Sequence, residues 1–500
     1  GILTIDGGAV TVGAEGTIVG NVYDARGLWL NAWGGDATPS AINIANGGVL
    51  QTARTIRNGS LDAAQLNFNG GTLRAAASID LVLANPVSVA TLQADGGTID
   101  TNGFDATITE TITGSGDLTK IGSGKLTIEG FHPWTGDTII NAGTLEMKSG
   151  GTDGSINKVG EYADGTDIGA GNLFEINHGS TLLISGNRID FNGSTFRFDA
   201  NGGGTITNSS LNFVNRNTTY DSNGGLQNQI PQVTSTGTPL FSLGGGAITF
   251  DVADGSDAVD LLISAPMAGV FGVPVVKNGA GVMSLTGANT FAGNLSVTGG
   301  KLLVDGTGRL GGGNYAGNIT LSNNAILHYS STLAQTLSGV MSGAGSLIKN
   351  ETSTLTLSGL NTYTGGTTVS AGTVVAGDDA AFGTGSVTVQ SGGASGGSVD
   401  VNGLTIANAF TISGTGVSSG GVQSGALFNS SSTAATLLGA ISLAADDSIQ
   451  TTGGLTLSGG IDAATAGGDS DLTLASATGE TGVFTITCIV GANNPITSLT

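Results

Sequence analysis

Two pairs of adjacent carboxylates come closest to catalytic chemistry in this chain: Asp378-Asp379 and Asp446-Asp447. Glycoside hydrolases use two carboxyl groups, one as general acid and the other as nucleophile or base. Neighbouring residues of a strand point to opposite faces of a sheet, so neither pair is an obvious working dyad. Asp378-Asp379 also follows Gly377 in a turn-like segment. We therefore favour solvated turn residues over a catalytic interpretation.

Four aspartates recur at intervals of three residues around Gly255: Asp251, Asp254, Asp257 and Asp260. Calcium prefers several oxygen ligands from close positions, which makes a weak surface calcium site one interpretation. The spacing differs from that of an EF-hand loop and from that of a glycine-rich nonapeptide repeat. An acidic loop is the interpretation that this spacing favours.

The stretch Gly393–Gly397, with Ser395 at its centre, formally matches the Gly-x-Ser-x-Gly pattern of a nucleophile elbow. Such an elbow works only between a strand and a helix, with His and Asp within reach. No helix pattern follows, so we interpret the match as accidental. The histidines, His132, His178 and His328, are far apart and show no metal-ligand spacing. The sequence therefore predicts no catalytic, metal-binding or cofactor-binding residue, and no cofactor.

Tyr23, Trp29 and Trp33 form the densest aromatic patch of the sequence. Exposed aromatic side chains can bind sugars or protein partners, and such a role stays open here. A local hydrophobic plug beneath a long loop is the interpretation that we favour.

The single cysteine, Cys488, excludes an intrachain disulfide. In the run Phe484–Val490 the even positions are apolar, and this alternation places Cys488 on the inner face of a strand. We therefore predict an inert core thiol rather than a reactive one.

Composition indicates which elements position these residues. Glycine accounts for 88 of 500 residues and proline for only 8, which excludes collagen. With 39% apolar and 10% charged residues, the chain can bury a large core, unlike a disordered protein. A net charge of −22 leaves no basic stripe for nucleic acid. No apolar run suits a membrane helix and no signal peptide is recognisable, so we expect a processed chain or a piece of a longer one.

Short runs of alternating Leu, Ile, Val and Thr cover most of the chain, separated by Asn-Gly, Asp-Gly or Gly-Gly. This period of two predicts β-strands, and glycine interrupts almost every window that could form a helix. Two segments, Gly97–Gly103 and Gly397–Gly403, share one pattern of strand and turn residues. Asn-Gly turns also suit hairpins, so a β-sandwich is an alternative to a solenoid of stacked coils.

Three segments align without a gap: 120–145, 277–302 and 349–374. Each begins with a lysine, has glycine at matched positions and carries one aromatic residue, which is Trp134, Phe291 or Tyr363. The segments start 157 and then 72 residues apart, so the unit does not recur at one period. Unequal spacing favours a solenoid, because coils can be added singly and loops can grow from turns.

The strings Gly114–Ile128 and Leu355–Val374 resemble the autotransporter-associated β-strand repeat of bacterial autotransporter passengers and related giant surface proteins. The resemblance implies an all-β fold, a right-handed parallel β-helix with loop excursions, continuous over residues 1–500. It also implies a non-enzymatic structural or adhesive shaft, secreted or at the bacterial cell surface and associated with the outer membrane. A polysaccharide-degrading enzyme on the same scaffold is the alternative, because parallel β-helices host such enzymes too.

The alignment predicts which side chains point into the core. We expect the following to be buried: Leu126, Ile128, Ile140, Leu145, Met283, Leu285, Val297, Leu302, Leu355, Leu357, Val369 and Val374. The three aromatic residues should occupy equivalent bends, each partly covering the end of a strand pair.

Both ends of the chain read as interior coils without caps, in Ile2–Ile5 and Phe484–Val490. Unpaired strand edges recruit further strands. We therefore expect each end to continue into more of the same chain or onto a neighbouring subunit, as in a fibre. A surface glycan or cell receptor is a further expected partner; nucleic acid and a membrane span are not.

Overall fold

Short β-strands joined by turns make up nearly all of the structure, which is a computed structural model. It describes residues 2–12, 28–30, 40–58, 64–83, 88–129, 132, 134–148, 157–158, 173–176, 180–185, 189–192, 195–198, 205–208, 212–216, 219–221, 232–235, 240–243, 248–269, 272–391, 396–419, 422–465, 470–477, 479–480 and 482–500. Within these ranges the helical structure is a single 3-10 turn at Gly311–Gly313. The predicted all-β class is therefore confirmed.

The chain divides into two compact units, residues 1–268 and 269–500. In each unit a strand pairs with the strand one coil further along, as Leu118 does with Thr138 in the first unit. The strand ladders that the structure describes are parallel, apart from a small hairpin in which Ser418–Ser419 pairs with Val422–Gln423. Each unit is therefore a parallel β-solenoid, as predicted, and the β-sandwich alternative is wrong.

The strands of the first unit stack in four columns. The first column contains Ile2–Asp6, Ser40–Ala45, Ala64–Asn69, Ser88–Leu92 and Thr111–Gly114. The second contains Ala9–Val12, Val49–Thr52, Gly71–Ala75, Gly97–Asp100, Leu118–Ile121, Thr138–Ile140, Leu173–Ile176, Thr195–Phe198, Thr219–Asp221 and Ile248–Asp251. The third contains Leu28–Leu30, Ile56–Asn58, Ile79–Leu83, Ala106–Ile108, Lys125–Glu129, Thr144–Lys148, Thr181–Ser185, Thr205–Asn208, Gln232–Ser235 and Leu261–Ile263. The fourth contains Asn157–Lys158, Ile189–Asn192, Asn212–Arg216, Leu240–Leu243 and Met267–Gly269.

The strands of the second unit also stack in columns. The first contains Val275–Asn278, Leu295–Val297, Ile319–Leu321 and Met341–Ser342. The second contains Val282–Leu285, Lys301–Gly306, Ile326–Ser331, Ser346–Lys349, Thr367–Val369, Val387–Val389, Phe410–Ile412, Ile441–Leu443 and Ile461–Ala463. The third contains Asn314–Tyr315, Gln335–Leu337, Thr354–Leu357, Gly372–Ala376, Gly397–Asp400, Leu427–Asn429, Asp447–Thr451, Asp471–Ser476 and Ser498–Leu499. The fourth contains Thr405–Ile406, Ala435–Leu437, Leu455–Leu457 and Phe484–Ile486.

Alternating side chains fill the interior of each stack. All the core residues predicted from the three aligned segments are buried, with at most 1% of any side chain exposed. Equivalent positions also pair with equivalent positions: Leu126 stacks on Leu145, and Met283 on Leu302. The predicted register of the repeat is therefore confirmed.

The two glycine-rich segments that share one pattern also share one turn. Asp100 ends a strand and its Oδ1 accepts a hydrogen bond from the Asn102 amide at 2.8 Å; Asp400 does the same for Asn402 at 2.9 Å. Both asparagines adopt a left-handed backbone, with φ of 51° and 47°. Asparagine tolerates this conformation better than most residues, which explains the matched Asn-Gly pair at both corners.

The repeat aromatics lie deeper than expected. Trp134, Phe291 and Tyr363 are wholly buried, so they belong to the core and do not merely cover a strand end. Trp134 Nε1 donates to Thr138 Oγ1 at 3.3 Å, and the Tyr363 hydroxyl is hydrogen-bonded to Thr367 Oγ1 at the same four-residue spacing. The indole and the phenol thus occupy corresponding places in two repeats.

The second and third repeats begin on different faces of the second unit. Lys277 stacks on Val297 in the first column, and three coils later that column reaches Met341–Ser342. Lys349 lies on the following strand, which stacks in the second column. The 72-residue separation is therefore three coils and one further strand, which accounts for the irregular period.

Glycines at a matched repeat position lie where two turns touch. A Cβ atom added to Gly136, Gly293 or Gly365 would approach a carbonyl oxygen of the preceding coil to between 1.9 and 2.5 Å. Such a contact is far too short for carbon and oxygen, so the repeat requires glycine for close approach at this corner.

Gly293→Ala should destabilise the second unit, because the added methyl group overlaps the carbonyl oxygen of Val273. We expect a cost of about 1–3 kcal/mol, as for other overpacked sites. Gly460→Ala is the matched control, since its Cβ would have no neighbour closer than 3.9 Å. Urea titration of both variants gives the comparison, and equal midpoints would contradict the steric argument.

The predicted position of Cys488 on the inner face of a strand is wrong. The strand ends at Ile486, and Cys488 lies in a bend beyond it with a half-buried side chain. The alternation that places inner residues applies only within a strand, so it does not extend to this thiol. Ile486 itself is 36% exposed, because among the described residues its strand pairs only with Leu455–Leu457.

Candidate functional site

A buried lysine begins each repeat and joins two neighbouring coils. Lys120, Lys277 and Lys349 have no exposed side-chain surface. In each case Nζ donates to the carbonyl oxygens one and two residues ahead and to a third carbonyl 22 residues ahead, in the next coil. For Lys277 these acceptors are Asn278, Gly279 and Gly299, at 2.9, 2.8 and 3.1 Å. We call each such arrangement a lysine clamp.

The other two clamps have the same geometry with small additions. Lys120 Nζ donates to Ile121, Gly122 and Ala142 at 2.9, 2.7 and 2.9 Å, and also to Thr101 Oγ1 at 3.0 Å in the preceding coil. Lys349 bonds to the carbonyls of Asn350, Glu351 and Ala371, and its Nζ lies 5.9 Å from the centre of the Tyr329 ring.

A clamp suits a cation because turn carbonyls of two coils converge on one point. An ammonium group has three N–H donors, which matches three acceptors. Burial still disfavours the charge: it lowers the pKa of Lys120 to about 8, opposed by nearby Asp100. Burial likewise lowers the pKa of Lys349 to about 8, opposed by Glu351. Both lysines are therefore predominantly protonated at neutral pH.

The position of each lysine in its strand is the sequence signal for these clamps. The first strand of each repeat alternates, and the lysine takes an inner position, as Leu118 and Lys120 do in the first repeat. A lysine at an inner position must find several acceptors, because a buried charge without partners is very costly.

His132 has a structural role that the search for metal ligands missed. Its Nδ1 accepts a hydrogen bond from the amide of Ile112 at 3.1 Å, twenty residues earlier. At the corresponding position of the third repeat, Asn361 Oδ1 accepts from the amide of Met341 at 2.7 Å, also twenty residues earlier. Each of these side chains lies two residues before the buried aromatic and accepts a hydrogen bond from one amide of the preceding coil.

The two carboxylate pairs bind backbone amides rather than each other. Asp378 accepts from Ala380 at 2.8 Å and Asp379 from Thr405 at 2.9 Å, both in turns. Asp446 is exposed and accepts from the amide of Asp471 at 3.2 Å. The four carboxylates therefore bind different backbone amides.

Asp447 departs from the expectation of a solvated residue. It is 2% exposed and accepts from the amides of Gly414 and Ala445 at 2.5 and 3.4 Å. Burial raises the pKa of this carboxyl to about 7 against the effect of its backbone partners. Its neighbour Asp446 lies in the bend before the strand and is exposed.

The remaining candidates do not assemble into a site. Asp260 is buried and accepts from the amide of Gly255 at 2.8 Å, whereas Asp251 and Asp254 are exposed. In the described part of the chain no three His, Cys, Asp or Glu side chains lie close enough to share a metal ion. His328 is half-buried, and burial lowers its pKa.

Several predicted features lie outside the described residues: Ser395 of the formal elbow, His178, Tyr23, Trp33 and the side chain of Trp29. None of the helical segments that the structure describes has the length and apolar character needed to cross a bilayer.

Comparison with known families decides what the clamped units are. The model of the passenger-associated-transport-repeat matches residues 118–147, 275–304 and 347–376, each of which contains one lysine clamp. The chain carries three passenger-associated-transport-repeats. The matched ranges extend the aligned segments by two residues at either side. They therefore include the start of the strand that carries the lysine and most of the strand that stacks on Leu126 or its equivalents.

One relative covers most of the chain. The adhesin BmaC autotransporter of Brucella suis biovar 1 (strain 1330) is 26% identical over 513 aligned residues, which span 85% of this chain. The alignment covers 13% of that relative, so the chain corresponds to a small part of its length. No solved structure matches the chain.

Lys277→Met should destabilise the second unit by about 2–4 kcal/mol, because methionine fills the space but removes the donor that three partly buried carbonyls share. Lys301→Met is the matched control from the same repeat, since Lys301 is half-exposed and should change stability by less than about 0.5 kcal/mol. Denaturant titration measures both. Equal destabilisation by the two substitutions would contradict the role given to the clamp.

His132→Asn should preserve most of the stability of the first unit, because an asparagine oxygen serves the same purpose in the third repeat. His132→Ala leaves the Ile112 amide unpaired and should cost about 1–3 kcal/mol. Thermal melting of both variants, with amide exchange at Ile112 as a local probe, separates the outcomes. A melting temperature equally lowered by Asn and Ala would show that the hydrogen bond is not what matters.

Proposed function

We propose that the chain is a structural and adhesive shaft of a bacterial cell-surface or secreted protein. The observation that carries the proposal is the regular stacking of coils within each unit, with a core filled in every repeat. The third column of the second unit alone stacks nine strands, from Asn314–Tyr315 to Ser498–Leu499. At about 4.8 Å per step this column extends for roughly 40 Å. Such a body is suited to hold binding surfaces away from a cell.

The relationship to an adhesin supports the adhesive part of the proposal. Similarity to the BmaC autotransporter extends over most of this chain, whereas three passenger repeats alone would indicate only the scaffold. Passenger display also accounts for the proposed location, outside the cell or on the outer membrane.

A non-enzymatic role is part of the same proposal. The alternative of a polysaccharide-degrading enzyme depended on Asp378-Asp379 and Asp446-Asp447, and each of these carboxylates accepts a hydrogen bond from a different backbone amide. General acid catalysis requires a carboxyl group within reach of the glycosidic oxygen and a second one on the opposite side of the sugar. No pair among these four provides that arrangement.

The proposal extends to a solenoid continuous over residues 1–500 that makes end-to-end contacts with further coils or neighbouring subunits, as in a fibre. A parallel coil leaves unpaired donors and acceptors on its open edge, and these can pair with another coil. Surface glycans or cell receptors are the proposed partners along its sides.

Beads coated with the purified chain should adhere to cultured epithelial cells several-fold more than beads coated with albumin. The same preparation should release no reducing ends from a panel of polysaccharides above the buffer background. Adhesion no greater than that of the albumin beads would overturn the adhesive role. Cleavage that disappears in Asp447→Asn or Asp446→Asn would instead establish the enzyme.

A further inference from the structure

A groove interrupts the outer surface of the second unit beside the hairpin in which Ser418–Ser419 pairs with Val422–Gln423. Its cavity volume is about 420 Å³, within the range of small-molecule sites, roughly 300–1,000 Å³. The floor is the outer face of the third column, where Phe428 on one strand lies directly beside Gln450 on the next. Both side chains are half-exposed, in contrast to the inner residues on either side of them.

The hairpin forms one wall of this groove through an insertion in a single coil. Val417 and Gln423 line the wall. The Val417 amide donates to Ser398 Oγ at 2.8 Å, and Ser398 Oγ is 2.8 Å from Ser424 Oγ, so both stems of the hairpin are fixed to the strand beneath. The wall is therefore attached to the sheet at two points.

The chemistry of the lining is specific. The described lining contains no acidic or basic side chain, although the chain carries 37 acidic residues. It offers one aromatic face, that of Phe428, together with the amides of Gln423 and Gln450 and the hydroxyls of Thr373 and Thr452.

We propose that this groove binds the end of a neutral glycan. The apolar face of a hexose ring packs against Phe428, while its hydroxyl groups exchange hydrogen bonds with Gln450 and Thr452. A sialylated or sulfated sugar finds no cation here to neutralise it, so the lining selects against acidic glycans. The inference rests on the proposed adhesive function and names the class of ligand and its place.

We expect a single shallow site with few polar contacts to bind a sugar weakly, so avidity is needed for detection. The probe is an array of neutral, sialylated and sulfated glycans, read with multivalent beads carrying the whole chain. Neutral glycans should be retained. Phe428→Ala and Gln450→Ala should each reduce that signal at least ten-fold.

Leu360→Ala is the control, because Leu360 is 65% exposed and does not line the groove. Its glycan signal should equal that of the unsubstituted chain, and melting temperatures should confirm that all variants fold. Binding of acidic glycans alone, absence of any glycan binding, or a neutral signal untouched by Phe428→Ala and Gln450→Ala would each overturn the inference.

Adhesion of the same beads to cells distinguishes this inference from the proposed function. Beads that adhere to cells without retaining glycans overturn the groove inference and leave the adhesive shaft in place. Beads that retain neutral glycans but fail to adhere to cells support the groove and overturn the cell-adhesive role.

Discussion

Each coil in either unit can satisfy its backbone only through the coils above and below it. The parallel ladder fixes the distance between successive strands at about 4.8 Å, and the turns must accept the same spacing. At a turn the amides and carbonyls no longer face one another in a regular ladder. The close-contact glycines and the buried polar side chains described above lie at these corners. Each relieves either a close backbone contact or an unpaired polar group that the spacing creates.

The corners use two solutions. Where backbones press together, the side chain is absent, as at Gly293, whose Cβ would meet a carbonyl oxygen. Where polar groups converge without partners, a side chain supplies them: Lys277 donates to three carbonyls, and His132 or Asn361 accepts from one amide. Unpaired buried polar groups cost about 1–3 kcal/mol each, so these side chains stabilise the stack as much as apolar residues do.

The inner face was predictable from the sequence because a period of two leaves only one way to bury Leu126 and Ile128 together. The clamps were not predicted, because a lysine first suggests solvent and its acceptors are carbonyls, which any residue can supply. Cys488 was misplaced because alternation continues in the sequence past the residue at which the strand ends. The groove could not be foreseen, since it depends on Phe428 and Gln450, 22 residues apart, becoming neighbours through the register of one coil on the next.

The displacement of Lys349 by one strand relative to Lys277 bears on how such a chain can lengthen. Duplicating the segment between them would insert three coils and one strand. Every strand beyond the duplication would then stack one column further along. In a coil of three strands, such as Ile319–Leu321, Ile326–Ser331 and Gln335–Leu337, three such copies restore the original orientation, whereas one or two leave later loops on a different side. Tandem duplication would therefore rotate the later coils about the axis of the stack as well as lengthen it. A surface feature on those coils would face another direction without any change in its own residues.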